Sequence, residues 1–209
     1  MTTDETEQTP DTVFITAVSI EMGLGVIALV LGWLTGVDPR QWIPRFETEQ
    51  WTVIATGLAV GAMAAVPMLI VIELVERVDI EPIRRLKELE SLPIVASLLR
   101  LSNLELLAIS VAAGVGEELL LRGWLMAWLS GPLETASLTV IVWALLASSV
   151  SFGLLHLITP TYAVIATFIG LYLGGLVLWT GNLLVPITAH AVYDAVHLLL
   201  FKRQQQRQS

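Results

Sequence analysis

The chain has 209 residues, 55% of them hydrophobic and 14% charged, with a mean hydropathy of +0.75; that balance excludes an ordinary soluble domain and points to a membrane protein. A formal net charge of -8 argues against a nucleic-acid partner. Cysteine is absent, which removes thiol nucleophiles, thiolate metal ligands and S-palmitoylation from consideration.

In chain order, residues 1–12 read as a disordered acidic cytoplasmic head that lacks the basic n-region of a signal peptide, so the apolar run behind it is expected to stay in the mature protein. Apolar runs then recur with short gaps, and hydropathy predicts six transmembrane helices: Val13–Thr35, Trp51–Val75, Leu104–Leu129, Ser137–Ile158, Tyr162–Thr180 and Leu183–Phe201. The fold class is therefore an all-α polytopic membrane bundle, because unpaired backbone groups in hydrocarbon cost several kcal/mol each. Residues 13–75 form two N-terminal spans, 76–103 a cytoplasmic link, 104–201 the chemically interesting core and 202–209 a basic tail. In the link, Ile83, Leu86 and Leu89 recur beside Arg84, Arg85 and Lys87, which fits a short interfacial amphipathic helix and equally a solvated connector. Eight lysines and arginines fall on the side of the termini and two, Arg40 and Arg45, on the other, so the positive-inside rule puts both termini in the cytoplasm.

Charge is scarce in the spans, and where it occurs it is patterned. In the third span, GVGEELLLRGWL, Glu118 and Arg122 stand at i and i+4 and can pair on one helix face. Glu117 projects about 100° away; a carboxyl left without a partner suits a general base or acid. Gly114 and Gly116 let another helix or a peptide backbone approach closely. Read structurally, the trio is a salt bridge with a spare glutamate; intramembrane ionisable residues are expensive and usually functional, which favours chemistry. The fourth span ends with Phe152 and His156 at i and i+4, a weak signal alone. The sixth carries His190, Asp194 and His197 at i, i+4 and i+7, a stripe that can orient an imidazole, build a metal site or form a polar seam between helices. Ser148, Ser149 and Ser151 lack a GxSG-type nucleophile turn and read as packing residues. Glu21 and Glu73 are buried by position; Glu73 is expected to reach the cytoplasmic interface and Glu21 to face the bundle or pair across it, and neither receives a role.

The ordered set Glu117-Glu118-x-x-x-Arg122, Phe152-x-x-x-His156 and His190-x-x-x-Asp194 resembles the CAAX prenyl protease and bacteriocin-processing (CPBP, or Abi) family of intramembrane proteases, over about residues 100 to 200. The family includes type II CAAX prenyl endopeptidases and lysostaphin-resistance-like membrane proteins of bacteria. The resemblance implies an intramembrane endopeptidase in the plasma (inner) membrane of a bacterium, acting on a peptide or membrane-protein substrate within the lipid bilayer. It implies that Glu117, assisted by His156, activates water, that His190 with Asp194 stabilises the oxyanion, and that Glu118, Arg122 and Phe152 support the site. Asp194 stands where the family often has asparagine; an ionised aspartate cannot donate to an oxyanion, so it must be protonated, orient His190 or help to bind a cation. The first-choice mechanism needs no cofactor. The alternative is one zinc ion held by Glu117, His156, His190 and Asp194 with His197 in reserve, although the HExxH signal is missing. A catalytically silent adaptor for another membrane protein is the rival to an enzyme, and a small carrier or proton relay is a further one. One difficulty concerns depth: His156 falls almost at the cytoplasmic end of its span while Glu117 and His190 lie about 20 Å inside theirs, so the turn around Pro160 is expected to dip into the membrane.

Overall fold

A computed structural model describes residues 9–45, 47–88 and 93–208, and these are helical with no strand among them. The order is α1 (Pro10–Thr35), α2 (Trp51–Glu76), α3 (Glu81–Glu88), α4 (Pro93–Leu99), α5 (Asn103–Glu118), a π-helical stretch (Leu119–Met126), α6 (Ala127–Ser130), α7 (Leu138–Leu155), α8 (Pro160–Thr180) and α9 (Leu184–Gln208). Residues 1–8 of the expected head lie outside the described residues, as does Leu89 of the link.

Local chemistry sets the helix limits. Thr9 and Thr159 each cap a helix through the backbone N–H three residues on, with proline in the first helical position, where its missing N–H costs nothing. Gly36 and Gly181 close the same two helices in the left-handed conformation that glycine adopts without strain. α5 opens with a capping box in which Ser102 and Glu105 satisfy each other's backbone N–H.

Among the described residues five helices, α1, α2, α7, α8 and α9, are long and apolar enough to cross a membrane. The expected third span is instead divided among α5, the π stretch and α6, which follow one another without a break from Asn103 to Ser130. Large apolar side chains point outward on these helices, with Trp33 82% exposed, whereas Glu117, Glu118, Arg122 and His190 are buried. Apolar outside and charged inside is the distribution a bilayer selects; the chain is an integral membrane protein.

Three departures from the predicted limits matter. α1 begins at Pro10, within the expected head, and α9 continues to Gln208 through the expected tail, where Lys202 donates to the Leu101 carbonyl ahead of α5. α7 stops at Leu155 rather than at Ile158. The link forms two short helices. Ile83 of α3 is buried and the helix packs on α8, while Arg84 and Arg85 both hold Glu81 (3.0 and 2.9 Å) on the exposed face. Their hydrogen bonds, Arg84 first, keep the Glu81 carboxyl below its ordinary range.

Two glycines on α5 bring the core together. A methyl group at Gly114 would come within 2.8 Å of the Ile187 carbonyl of α9, and one at Gly116 would collide with the Glu21 carbonyl of α1. With hydrogen in those places, α1 and α9 close on two sides of the turn that precedes Glu117. α9 also packs along α2, and α7 pairs with α8.

Candidate active site

α5 ends on Glu117 and Glu118, and the helix then widens into the π stretch that carries Arg122. π turns are costly and recur at functional sites, where they redirect side chains. Glu118 and Arg122 form the expected pair, Nη1 donating to Oε1 at 2.7 Å, with both side chains fully buried. The second amino group of Arg122 donates to the Gly170 carbonyl of α8 at 2.8 Å, and its guanidinium carbon lies 4.7 Å from the centre of the Phe152 ring. Thus Arg122 ties together α5, α7 and α8.

His190 of α9 completes this frame. Its Nδ1 is 3.1 Å from Glu118 Oε1 and its Nε2 is 3.4 Å from Asp194 Oδ2. Both partners are carboxyl oxygens, so a ring carrying both protons satisfies both contacts. The Asp194 carboxyl thus lies against the His190 ring.

On the other side of the frame, Glu117 is 5% exposed, and its Oε2 has no hydrogen-bond partner. The nearest imidazole nitrogen is Nε2 of His156, at 3.9 Å, beyond direct bonding. His156 occupies the turn after α7. Its Nδ1 lies 2.9 Å from the Phe152 carbonyl, which only accepts, so Nδ1 carries the proton of the neutral ring and Nε2 presents a lone pair toward Glu117. Phe152 stacks on His156 (centroids 4.6 Å apart) and meets His190 edge-on (5.6 Å).

The sequence-predicted residues Glu117, Glu118, Arg122, Phe152, His156, His190 and Asp194 thus converge from α5, the π stretch, α7 and α9. His197 does not join them: it faces Glu76 at 3.4 Å and stacks on Tyr193 (5.9 Å), away from the cluster. The serine hydroxyls bond back to carbonyls of their own helix, Ser148 and Ser149 to Leu145 and Ser151 to Ala147, which is packing chemistry. Glu73 pairs with Arg77 at 2.8 Å on an exposed face.

One residue near the cluster escaped the sequence reading, and another, Glu21, was named there without a role. Tyr162, in the first turn of α8, presents its ring edge-on to His156 at 5.8 Å; the Thr159–Pro160 start of that helix was a signal for its register, but not for its neighbour. Glu21 of α1 lies beside Glu117, with its backbone carbonyl against Gly116, and feels the charges of His190 and Asp194.

Among the described residues no three histidine, aspartate or glutamate side chains come together as a group able to hold a metal. Both nitrogens of His190 face carboxyl groups, Glu118 and Asp194.

The chain was compared with known proteins on this basis. No curated protein and no solved structure matches it. Residues 100–196, the stretch from the start of α5 to just past Asp194, match the family model described as type II CAAX prenyl endopeptidase Rce1-like, a generally proteolytic family. That match takes in all seven converging side chains of the predicted set, and over these residues the chain is similar to the Rce1-like CAAX protease family.

Proposed function

We propose that the protein is an intramembrane endopeptidase in which Glu117 activates a water molecule for attack on a peptide carbonyl. The observation that carries this reading is the facing pair of Glu117 Oε2 and His156 Nε2, 3.9 Å apart in a buried site. Two acceptors at that separation suit one water that donates a proton to each and turns a lone pair toward the substrate. As the oxygen bonds to the carbonyl carbon, its proton passes to Glu117 and later to the leaving nitrogen as the C–N bond breaks, giving a carboxylic acid and an amine. His156 holds the water, and Phe152 holds His156 by stacking and by its carbonyl.

Negative charge develops on the former carbonyl oxygen. His190 faces carboxyls through both nitrogens, and the 3.4 Å contact to Asp194 is the longer arm, the one an oxyanion competes for most readily. Glu118 and Arg122 support His190 from behind. Each step uses only the chain's own side chains and water.

In this reading the peptide enters from the bilayer, with both termini of the enzyme in the cytoplasm. The turn from His156 to Thr159 begins with the side chain that reaches Glu117. It carries exposed Leu157 and Ile158, and Leu154 and Leu155 just before it are also exposed, which supports a turn set within hydrocarbon rather than in open water.

The test compares wild type with Glu117→Ala in proteoliposomes against a peptide library, with products identified by mass spectrometry. Wild type is expected to give cleavage products that the variant does not. Identical product patterns would end the protease reading in favour of a silent adaptor.

A further inference from the structure

Four carboxyl groups face the centre of the bundle: Glu21, Glu117, Glu118 and Asp194. Two of them are matched by cations or imidazoles at short range, Glu118 by Arg122 and His190 and Asp194 by His190. Glu21 and Glu117 have no such match. Each keeps a buried carboxyl oxygen without a hydrogen-bond partner, and they lie beside each other. The backbone enforces this meeting, because the Glu21 carbonyl occupies the space where a side chain at Gly116 would be, one residue before Glu117. Gly25, one helical turn further along α1, packs on Gly116 as well.

Two carboxylates held together away from water repel, whereas a carboxylic acid beside a carboxylate forms a strong charge-assisted hydrogen bond. We propose that Glu21 is a positioning residue for Glu117, fixing its carboxyl through such a bond in which one proton serves both groups. The inference rests on Glu117 being the base. The groups whose charges Glu21 feels from neighbouring elements are Glu117 on α5 and His190 and Asp194 on α9. The proton of the pair stays in place during turnover. The proton taken from water is the one that goes to the leaving amine. In the absence of Glu21, Glu117 keeps its chemistry but loses the donor that aims its free oxygen at the water beside His156.

The experiment uses the full chain in proteoliposomes and the cleavable peptide from the library screen, with Glu21→Gln, Glu21→Met and Glu117→Ala. Glutamine keeps the length and supplies a permanent N–H donor; methionine keeps the length without one. Glu21→Gln is expected to retain kcat within about threefold and Glu21→Met to lose about ten- to a hundredfold in kcat at unchanged KM, as for a hydrogen bond to a charged group. Full activity in Glu21→Met, or equal losses in both variants, would overturn the inference while the contrast between wild type and Glu117→Ala still upholds the protease. Infrared spectroscopy decides without any substrate: wild type is expected to show the carbonyl stretch of a buried protonated carboxyl, and Glu21→Gln to diminish it. A band the substitution leaves intact also overturns the proposal.

Discussion

Replacing Arg122 by methionine removes one side chain and strands three partners. Methionine fills much of the same space and keeps the contact with Phe152 apolar, so the change isolates the charge and its donors. The Glu118 carboxyl loses a 2.7 Å bond in a fully buried setting and keeps only His190; its other oxygen already has no partner. The Gly170 carbonyl loses a 2.8 Å bond, and Phe152 loses the cation over its ring. Breaking a buried ion pair from one side costs about 3–5 kcal/mol, and a stranded buried carbonyl about 1–3 kcal/mol. All of these belong to one guanidinium and overlap, so their sum is not the expectation; a loss of about 3–5 kcal/mol is. Denaturant unfolding of the detergent-purified protein, followed by circular dichroism, measures it. The double variant Glu118→Gln/Arg122→Met removes the stranded charge while glutamine still accepts from His190, so it is expected to be more stable than Arg122→Met alone. A single variant within about 0.5 kcal/mol of wild type, the range of an ordinary surface substitution, would refute the reasoning. So would a double variant whose two effects simply add.

Asp194→Asn is expected to keep cleavage within about tenfold of wild type, because the amide oxygen still accepts from His190 Nε2 at a cost near that of one neutral hydrogen bond; peptide turnover checks this, and abolished turnover would mean that the negative charge itself is required. Cysteine placed at Thr159 or Thr161 is expected to resist a membrane-impermeant thiol reagent in intact vesicles, as befits a turn sunk among lipid. Labelling as fast as at an exposed loop position would put that turn in open water.

Much of the bundle was legible because apolar run length is a direct consequence of bilayer thickness, and each of the six expected stretches corresponds to helix. The cluster was legible because charge is so costly in hydrocarbon that Glu117, Glu118, Arg122 and His190 stood out against their surroundings. What stayed hidden was geometric. The π stretch after Glu118 leaves no mark on hydropathy, since a change from i+4 to i+5 hydrogen bonding alters backbone winding and not composition. The end of α7 was misplaced because Leu157 and Ile158 are as apolar as the helix before them, although they belong to the turn. That earlier stop is also what lets His156 reach Glu117: a histidine in a turn is not bound to the helix axis. Glu21 stood out as a carboxyl in a span, but its partner did not, because its meeting with Glu117 depends on Gly116, a contact between residues far apart in the chain. His197 shared the spacing of the sixth-span stripe, yet Glu76 of α2 draws it elsewhere.

The brevity of α7 has a bearing on the surrounding lipid. Its 18 residues reach about 27 Å, while the 26 residues of α1 and of α2 reach about 39 Å, against an acyl core of about 30 Å. Long helices answer such a disparity by tilting, whereas a short one pulls the leaflet inward beside it. A short helix whose apolar turn continues it into the acyl layer needs no such thinning, so the length of α7 agrees with a turn at His156 that ends inside the bilayer and not at its surface.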